Sequence, residues 1–410
     1  MVTSSLRTAA LAVALLPAWA VAAPLTLPQA LDLAVQRSEA TRSARAGVTS
    51  ASQAARAAGQ LPDPTLRAGV DNLPVTGADR LSTTRDSMTT KRIGIGQEWV
   101  SAEKRAARQA AADAMVGRES VSVQAATAEV RMQTALAYLD AYFAGETLKL
   151  TTLSEHHVHE ELEAAKARLA SSAGSGQEAL AATSARGIAE DESSEVRQQQ
   201  SAARVTLERW VGIRADDLAA PAGLAGAEEQ AFIATHPLVL AAQRDVELAR
   251  QEAAVAASNR KPNWSWELSY GQRTGYSDMV SFGVSIPLPV SPAERQDRDT
   301  ASKLALVDKA EGTLAEATRA AQAEYRTLAS DVQRLTERVQ RYRSAVVVPA
   351  QQRTDAALAG YRSNQVTLIL LFEARHMEVV ARRKLLSLQR DLAKAQAQLA
   401  FKPVMSGGAR

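Results

Sequence analysis

Glu155-His156-His157-Val158-His159-Glu160-Glu161 is the densest group of chemistry-bearing side chains in the sequence, with three of its five histidines inside four residues. On a helix, His156, His159 and Glu160 stand at i, i+3 and i+4, a spacing that can present imidazole and carboxylate ligands to zinc, copper or nickel. The alternative is a structural or solvated helix face, with His157 continuing an apolar seam through Leu136, Phe143 and Leu150. No other pattern suggests catalysis. Gly94-x-Gly96 is followed by Trp99 rather than by the third glycine of a dinucleotide fingerprint. A phosphate-loop Gly-Lys-Ser/Thr, a Gly-x-Ser-x-Gly elbow and a His-Glu-x-x-His pair are all missing from the sequence. No cofactor is expected, and no enzyme activity.

The elements that would position these residues come twice. Leu61-Pro62-Asp63-Pro64 closes an alanine-rich helix over 27–59, because proline disfavours helix at its own position and just before it. Lys261-Pro262-Asn263 does the same two hundred residues later. Each stop is followed by two short alternating runs, 65–72 and 91–99 in the first half, 264–271 and 279–288 in the second. In the first pair Leu66, Ala68, Val70, Ile93, Ile95 and Trp99 alternate with Thr65, Arg67, Asp71, Arg92 and Glu98. In the second pair Trp264, Trp266, Leu268 and Tyr270 alternate with Ser265, Glu267 and Ser269. One apolar, aromatic face and one small or polar face over 8–10 residues is the dyad pattern of a membrane β-strand, and also that of a hairpin in a soluble sheet. In the first reading Arg67, Asp71, Arg92, Glu98 and Glu267 line a wet lumen, and Trp99, Trp264, Trp266 and Tyr270 belong to an interfacial aromatic girdle.

A long helical hairpin follows each strand pair. Residues 103–169 contain no proline, which allows roughly 100 Å of helix. The spacing predicts a turn at 170–176, a return over 177–211, a second helix over 297–358 interrupted near Pro349, a turn at 360–365 and a return over 367–400. Narrow Leu/Ala/Val stripes suit coiled-coil packing. Gly174, Gln177, Arg362 and Asn364 mark the two tips. The repeat therefore divides the chain into 23–211, a linker over 212–229, 230–400, and a flexible tail over 401–410.

Composition narrows the class further. Residues 1–22 read as a secretory signal, with Arg7, an apolar run over 9–16 and the small-x-small site Ala20-Val21-Ala22. Removing Arg7, the one charge in that segment, takes the net charge from +3 to +2, so a nucleic-acid partner is not expected. The sequence has no cysteine, which removes disulfides and the residue that a bacterial lipid anchor would modify. Four strands cannot close a barrel and an open edge is not tolerated in lipid, so membrane strands would demand an oligomer; three chains give twelve strands.

This order of elements resembles the TolC-like outer-membrane efflux proteins over essentially the whole mature chain. Gln60-Leu61-Pro62-Asp63-Pro64, Gly96-Gln97-Glu98 through Glu103-Lys104-Arg105, Ser285-Ile286-Pro287-Leu288-Pro289, and Tyr361-Arg362 with Val366-Thr367-Leu368 carry the resemblance. The first two are most similar to the CzcC/CusC-type components of heavy-metal cation efflux. The first tip, Ser175-Gly176-Gln177-Glu178, departs from the aspartate and aliphatic pair common in relatives. The resemblance implies a mainly α fold with a transmembrane β part: a homotrimer whose 12-stranded barrel sits in outer-membrane lipid on a long periplasmic helical tunnel. It also implies a periplasmic adaptor (membrane fusion) protein at the tips and an RND-type inner-membrane pump. The chain would be a passive conduit for metal cations in a Gram-negative outer membrane. A drug-efflux or type I secretion duct of the same fold, and a coiled-coil surface protein without a channel, are the other readings.

Overall fold

The computed structural model describes residues 24–172 and 174–404. The signal segment and the last residues of the tail lie outside them. Helix α1 (Leu27–Arg37) starts in a capping box between Thr26 and Gln29, with Pro28 in its first turn. The single helix expected over 27–59 is two, because the Ser38 side chain accepts the Thr41 N–H at 3.0 Å and caps a new helix, α2 (Glu39–Ala58). Strands β1 (Thr65–Asp71) and β2 (Thr90–Trp99) follow. They lead into α3 (Ala102–Ala170), whose 69 residues span about 100 Å. Helix α4 (Gly176–Val211) returns alongside it.

The second half repeats the order. Helices α5 (Glu229–Ala234) and α6 (Pro237–Ser258) precede β3 (Trp264–Arg273) and β4 (Met279–Ser285). The strand expected over 279–288 ends at Ser285, since Pro287 and Pro289 have no N–H to give a ladder. Helix α7 (Gln296–Tyr342) passes through a π-helical turn at Arg343–Val347 into α8 (Val348–Arg362), and α9 (Leu368–Phe401) returns. The wide turn sits where the Pro349 ring would otherwise meet the Ala345 carbonyl, four residues back.

All four strands form one antiparallel sheet in the order β1-β2-β3-β4. The halves join at β2–β3, where Trp99 stands opposite Trp264 and Thr90 opposite Arg273. At the middle of the long helices a core of Leu27, Ala30, Ala135, Tyr138, Leu139, Leu207, Val211 and Ala397 packs α1, α3, α4 and α9 together. The linker is tied in there. Leu25 and Leu218 form a parallel bridge, and the Tyr138 hydroxyl lies 2.7 Å from both the Leu25 and Ala219 carbonyl oxygens.

The expected flexible tail needs correction at its start. Phe401 is helical, the Lys402 ammonium pairs with Glu324, and the Val404 N–H donates to the Thr235 carbonyl at 2.8 Å. Beside them lies His236, buried against the Phe232 ring. Its Nδ1 accepts the Leu238 N–H at the start of α6, which leaves the proton on Nε2, 3.3 Å from Glu324. Burial, and then the Lys402 charge, hold its pKa below 6.5, against a raising pull from Glu324. The folded protein thus binds fewer protons here than the unfolded chain. This stabilisation is whole above pH 6.5 and is lost as pH falls through the lower folded value. The stability that His236 contributes should fall between pH 7 and pH 5, read as the difference in thermal melts between the wild type and His236→Asn, which can still cap α6 but cannot titrate.

Candidate functional site

The register of the sheet sorts its side chains onto two faces. One carries Leu66, Ala68, Val70, Ile93, Ile95, Trp99, Trp264, Trp266, Leu268, Tyr270, Val280, Phe282 and Val284. Nothing in the described chain covers it: Leu66, Val280 and Phe282 are 75%, 71% and 68% exposed. So large an apolar face calls for a non-aqueous neighbour. The Trp99 and Trp264 rings meet at 5.9 Å, at the end of the sheet that joins the helices. Lys91 and Gln272, a facing pair, end the apolar band at the other side. The eight steps between these pairs measure about 27 Å along the strand; strands tilted by 35–45°, as in membrane barrels, would present ~20 Å of that height, against an apolar band of ~25 Å in such barrels.

The opposite face gathers all five residues expected in the lumen. Arg67 reaches Glu267 at 2.6 Å, and Arg92 reaches Asp71 at 2.9 Å. The first pair spans from β1 to β3 across β2, passing over Gly94 and Gly96, which carry no side chain. A Cβ on Gly94 would stand 2.7 Å from that of Ser269. The Gly-x-Gly of β2 is thus a packing device. Glu98 has a further role. It accepts from the Asn263 amide at 2.7 Å, and Asn263 and the Lys261 carbonyl each accept from the buried Lys104 ammonium at 2.8 Å. Desolvation, and then Arg108, lower the Lys104 pKa, with Glu98 opposing. This knot fixes the start of α3 to the start of β3. The sequence places Lys104 in a motif but gives no sign of this role, because its partners lie 157 and 159 residues away.

Both helical tips lie at the far end from the sheet. Ser175 and Glu178 form a capping box that starts α4. Gly174 packs so closely on the end of α3 that a Cβ would come within 3.0 Å of Arg168. Gln177 is exposed beside it. At the other tip, Arg362 is exposed and Asn364 takes the left-handed conformation, φ +57°, that ends α8. Leu162, Ala165, Ala182, Ala357, Leu368, Leu371 and Phe372 join the two hairpins just above. The Arg168 guanidinium lies over the Tyr361 ring at 5.6 Å.

The histidine cluster divides. His156 Nε2 is 3.3 Å from Glu160, and both are exposed. His159 is exposed and is not brought into that pair. Among the described residues no group of three or more His, Asp or Glu side chains is placed to hold a metal ion. His157 is half-exposed, its Nδ1 3.6 Å from the same Glu160 carboxylate, whereas Glu161 turns inward.

An amphipathic, unclosed sheet on paired helices of this length is a rare combination, and comparison with solved structures decides its class. The outer membrane protein VceC of Vibrio cholerae superposes with a TM-score of 0.75 at 18% identity, covering 93% of this chain and 97% of that one. The Campylobacter jejuni CmeC outer membrane channel gives 0.77 at 12% identity, with 94% and 87% covered. CusC, described for its folding and transmembrane channel formation, gives 0.74 at 14%, with 92% and 91% covered. The fold is TolC-like. No family model matches the chain, and no curated protein matches it in sequence. The four-stranded sheet is open, with β1 and β4 at its two edges.

Proposed function

We propose that this protein is the outer-membrane duct of a tripartite efflux system, working as a homotrimer and without catalysis. One observation carries the proposal: a four-stranded arc, bare and apolar on one face and charged on the other, with two unpaired edges. Three arcs joined β4 to β1 make a 12-stranded barrel, turn every apolar face to lipid and satisfy every edge. The paired charges inside give a wet, balanced wall: Arg67, Arg92 and Arg273 against Asp71, Glu98 and Glu267 share that face. Such a wall favours neither cations nor anions strongly. Choice of cargo then falls to a pump and a periplasmic adaptor meeting the tips around Gly174 and Asn364. Export by the signal over 1–22 delivers the chain to the outer membrane of a Gram-negative cell.

Heavy-metal cations are the proposed cargo. The Gln60–Pro64 and Gly96–Arg105 segments support this through their likeness to the CzcC/CusC-type proteins. Purified protein in detergent should be a trimer and should open discrete conductances in a planar bilayer. A soluble monomer, or a trimer silent even after substitutions that loosen Gly174 and Asn364, overturns the duct. Deletion of the gene should raise sensitivity to copper, zinc, cobalt or nickel salts. Sensitivity to drugs alone, or a secretion defect alone, overturns the metal assignment and leaves the duct standing.

A further inference from the structure

Between α3, α4, α8 and α9, above the tips, lies a cavity of about 400 Å³. That is within the ~300–1,000 Å³ range of small-molecule sites. Its walls are apolar, built from Leu150, Val158, Ile188, Leu358, Phe372 and Val379. Its polar groups are unequal in sign: five carboxylates face two guanidiniums. Four of these charges are committed to each other, Arg375 to Glu161 and Arg382 to Glu378, and Glu192 lies 3.5 Å from Arg383.

Glu161 is the unusual member. Its side chain is only 9% exposed. One oxygen, Oε1, takes the Arg375 guanidinium, and the other, Oε2, is buried with no hydrogen-bond partner. A buried acceptor without a donor carries a cost of roughly 1–3 kcal/mol, and here its side chain forms part of the wall of an apolar cavity whose remaining carboxylates, Asp355 and Glu373, are exposed. We propose that the cavity is a binding site for an apolar organic cation, a protonated amine on an apolar body, with the Glu161 carboxylate turning to present Oε2 to its N–H. The amine would supply the donor the carboxylate lacks, and the body would fill the Leu/Ile/Phe walls. Burial raises the Glu161 pKa to about 7, ahead of a lowering by Arg375. A cation on Oε2 offsets the charge that burial disfavours.

Three probes of one shape test this: 4-phenylbutylamine, 4-phenylbutan-1-ol and 4-phenylbutyrate, titrated calorimetrically into the full chain in detergent at pH 8. The amine should bind at least ten-fold tighter than the alcohol or the acid. Glu161→Gln, whose amide oxygen can still accept from Arg375, should erase that preference. Ile188→Trp, at a half-exposed wall position away from the ion pair, should abolish amine binding by filling the space. Equal binding of the three probes, a preference that survives Glu161→Gln, amine binding unchanged in Ile188→Trp, or no binding by the wild type overturns the site. The binding does not depend on conduction, so a silent channel would leave this result untouched.

Discussion

Leu268→Arg should abolish the stable assembled channel. Leu268 stands opposite Ile95 on one side and Phe282 on the other, midway between the Trp99–Trp264 and Lys91–Gln272 pairs that bound the apolar band. An arginine facing lipid at that depth costs about 2–4 kcal/mol per protomer, and a trimer bears it three times. Ser281→Arg provides the control. Ser281 is exposed on the opposite face of β4, toward the proposed water-filled lumen, where a charge costs little. Heat-stable trimer on a gel and insertion into lipid vesicles are the readouts. Loss in Leu268→Arg with retention in Ser281→Arg fits the barrel. Equal tolerance of both substitutions would mean that the apolar face meets protein or water, as in a coiled-coil surface protein.

The pattern behind that experiment is legible in the sequence itself. The period-two alternation of 65–71 and 264–270 determines which side chains share a face, and the register bears this out from Arg67 to Glu267. Proline sets the ends: the stops at Pro62 and Pro262, and the break near Pro349, all fall where a missing N–H requires them. Other features are hidden because they depend on long-range contacts. Nothing local reveals that Gly94 makes room for Ser269 of β3, or that Lys104 ties α3 to Asn263. The Ser38 break is equally silent, because a serine within an alanine-rich run reads as helix until its side chain is seen capping Thr41.

The histidine cluster shows the same division at the scale of one helical turn. Spacing alone selects His156, His159 and Glu160 as neighbours, and on the surface two of them do pair. Spacing does not say which way the turn faces. The heptad through Leu136, Phe143, Leu150 and His157 does, and four residues beyond His157 it reaches Glu161, the buried carboxylate. A charged residue on a seam is a sharper signal than a cluster of histidines on a helix, because burial without a full set of partners is costly whereas solvent exposure is not.

Tyr138→Ala should produce the largest loss of stability among single substitutions in the helical part, about 3–5 kcal/mol. Tyr138 is completely buried, and its ring is at the centre of the core shared by α1, α3, α4 and α9. Its hydroxyl adds a second function. One proton is shared between the Leu25 and Ala219 carbonyls, each 2.7 Å away, so a single side chain on α3 gathers the start of the described chain and the linker between the halves. Burial pushes its pKa up to about 12, so the phenol remains a donor throughout the physiological range. Tyr138→Phe separates the two roles. It keeps the ring and leaves the Ala219 oxygen short of a donor, which should cost about 1–3 kcal/mol. The Leu25 oxygen still accepts the Ala219 N–H at 3.0 Å. Urea unfolding followed by the helical circular dichroism signal resolves the two variants. If Phe costs as much as Ala, the hydroxyl clamp dominates and the linker is the element that holds the two halves together. If Phe costs nothing, the linker is held by the Leu25–Leu218 bridge and the core alone.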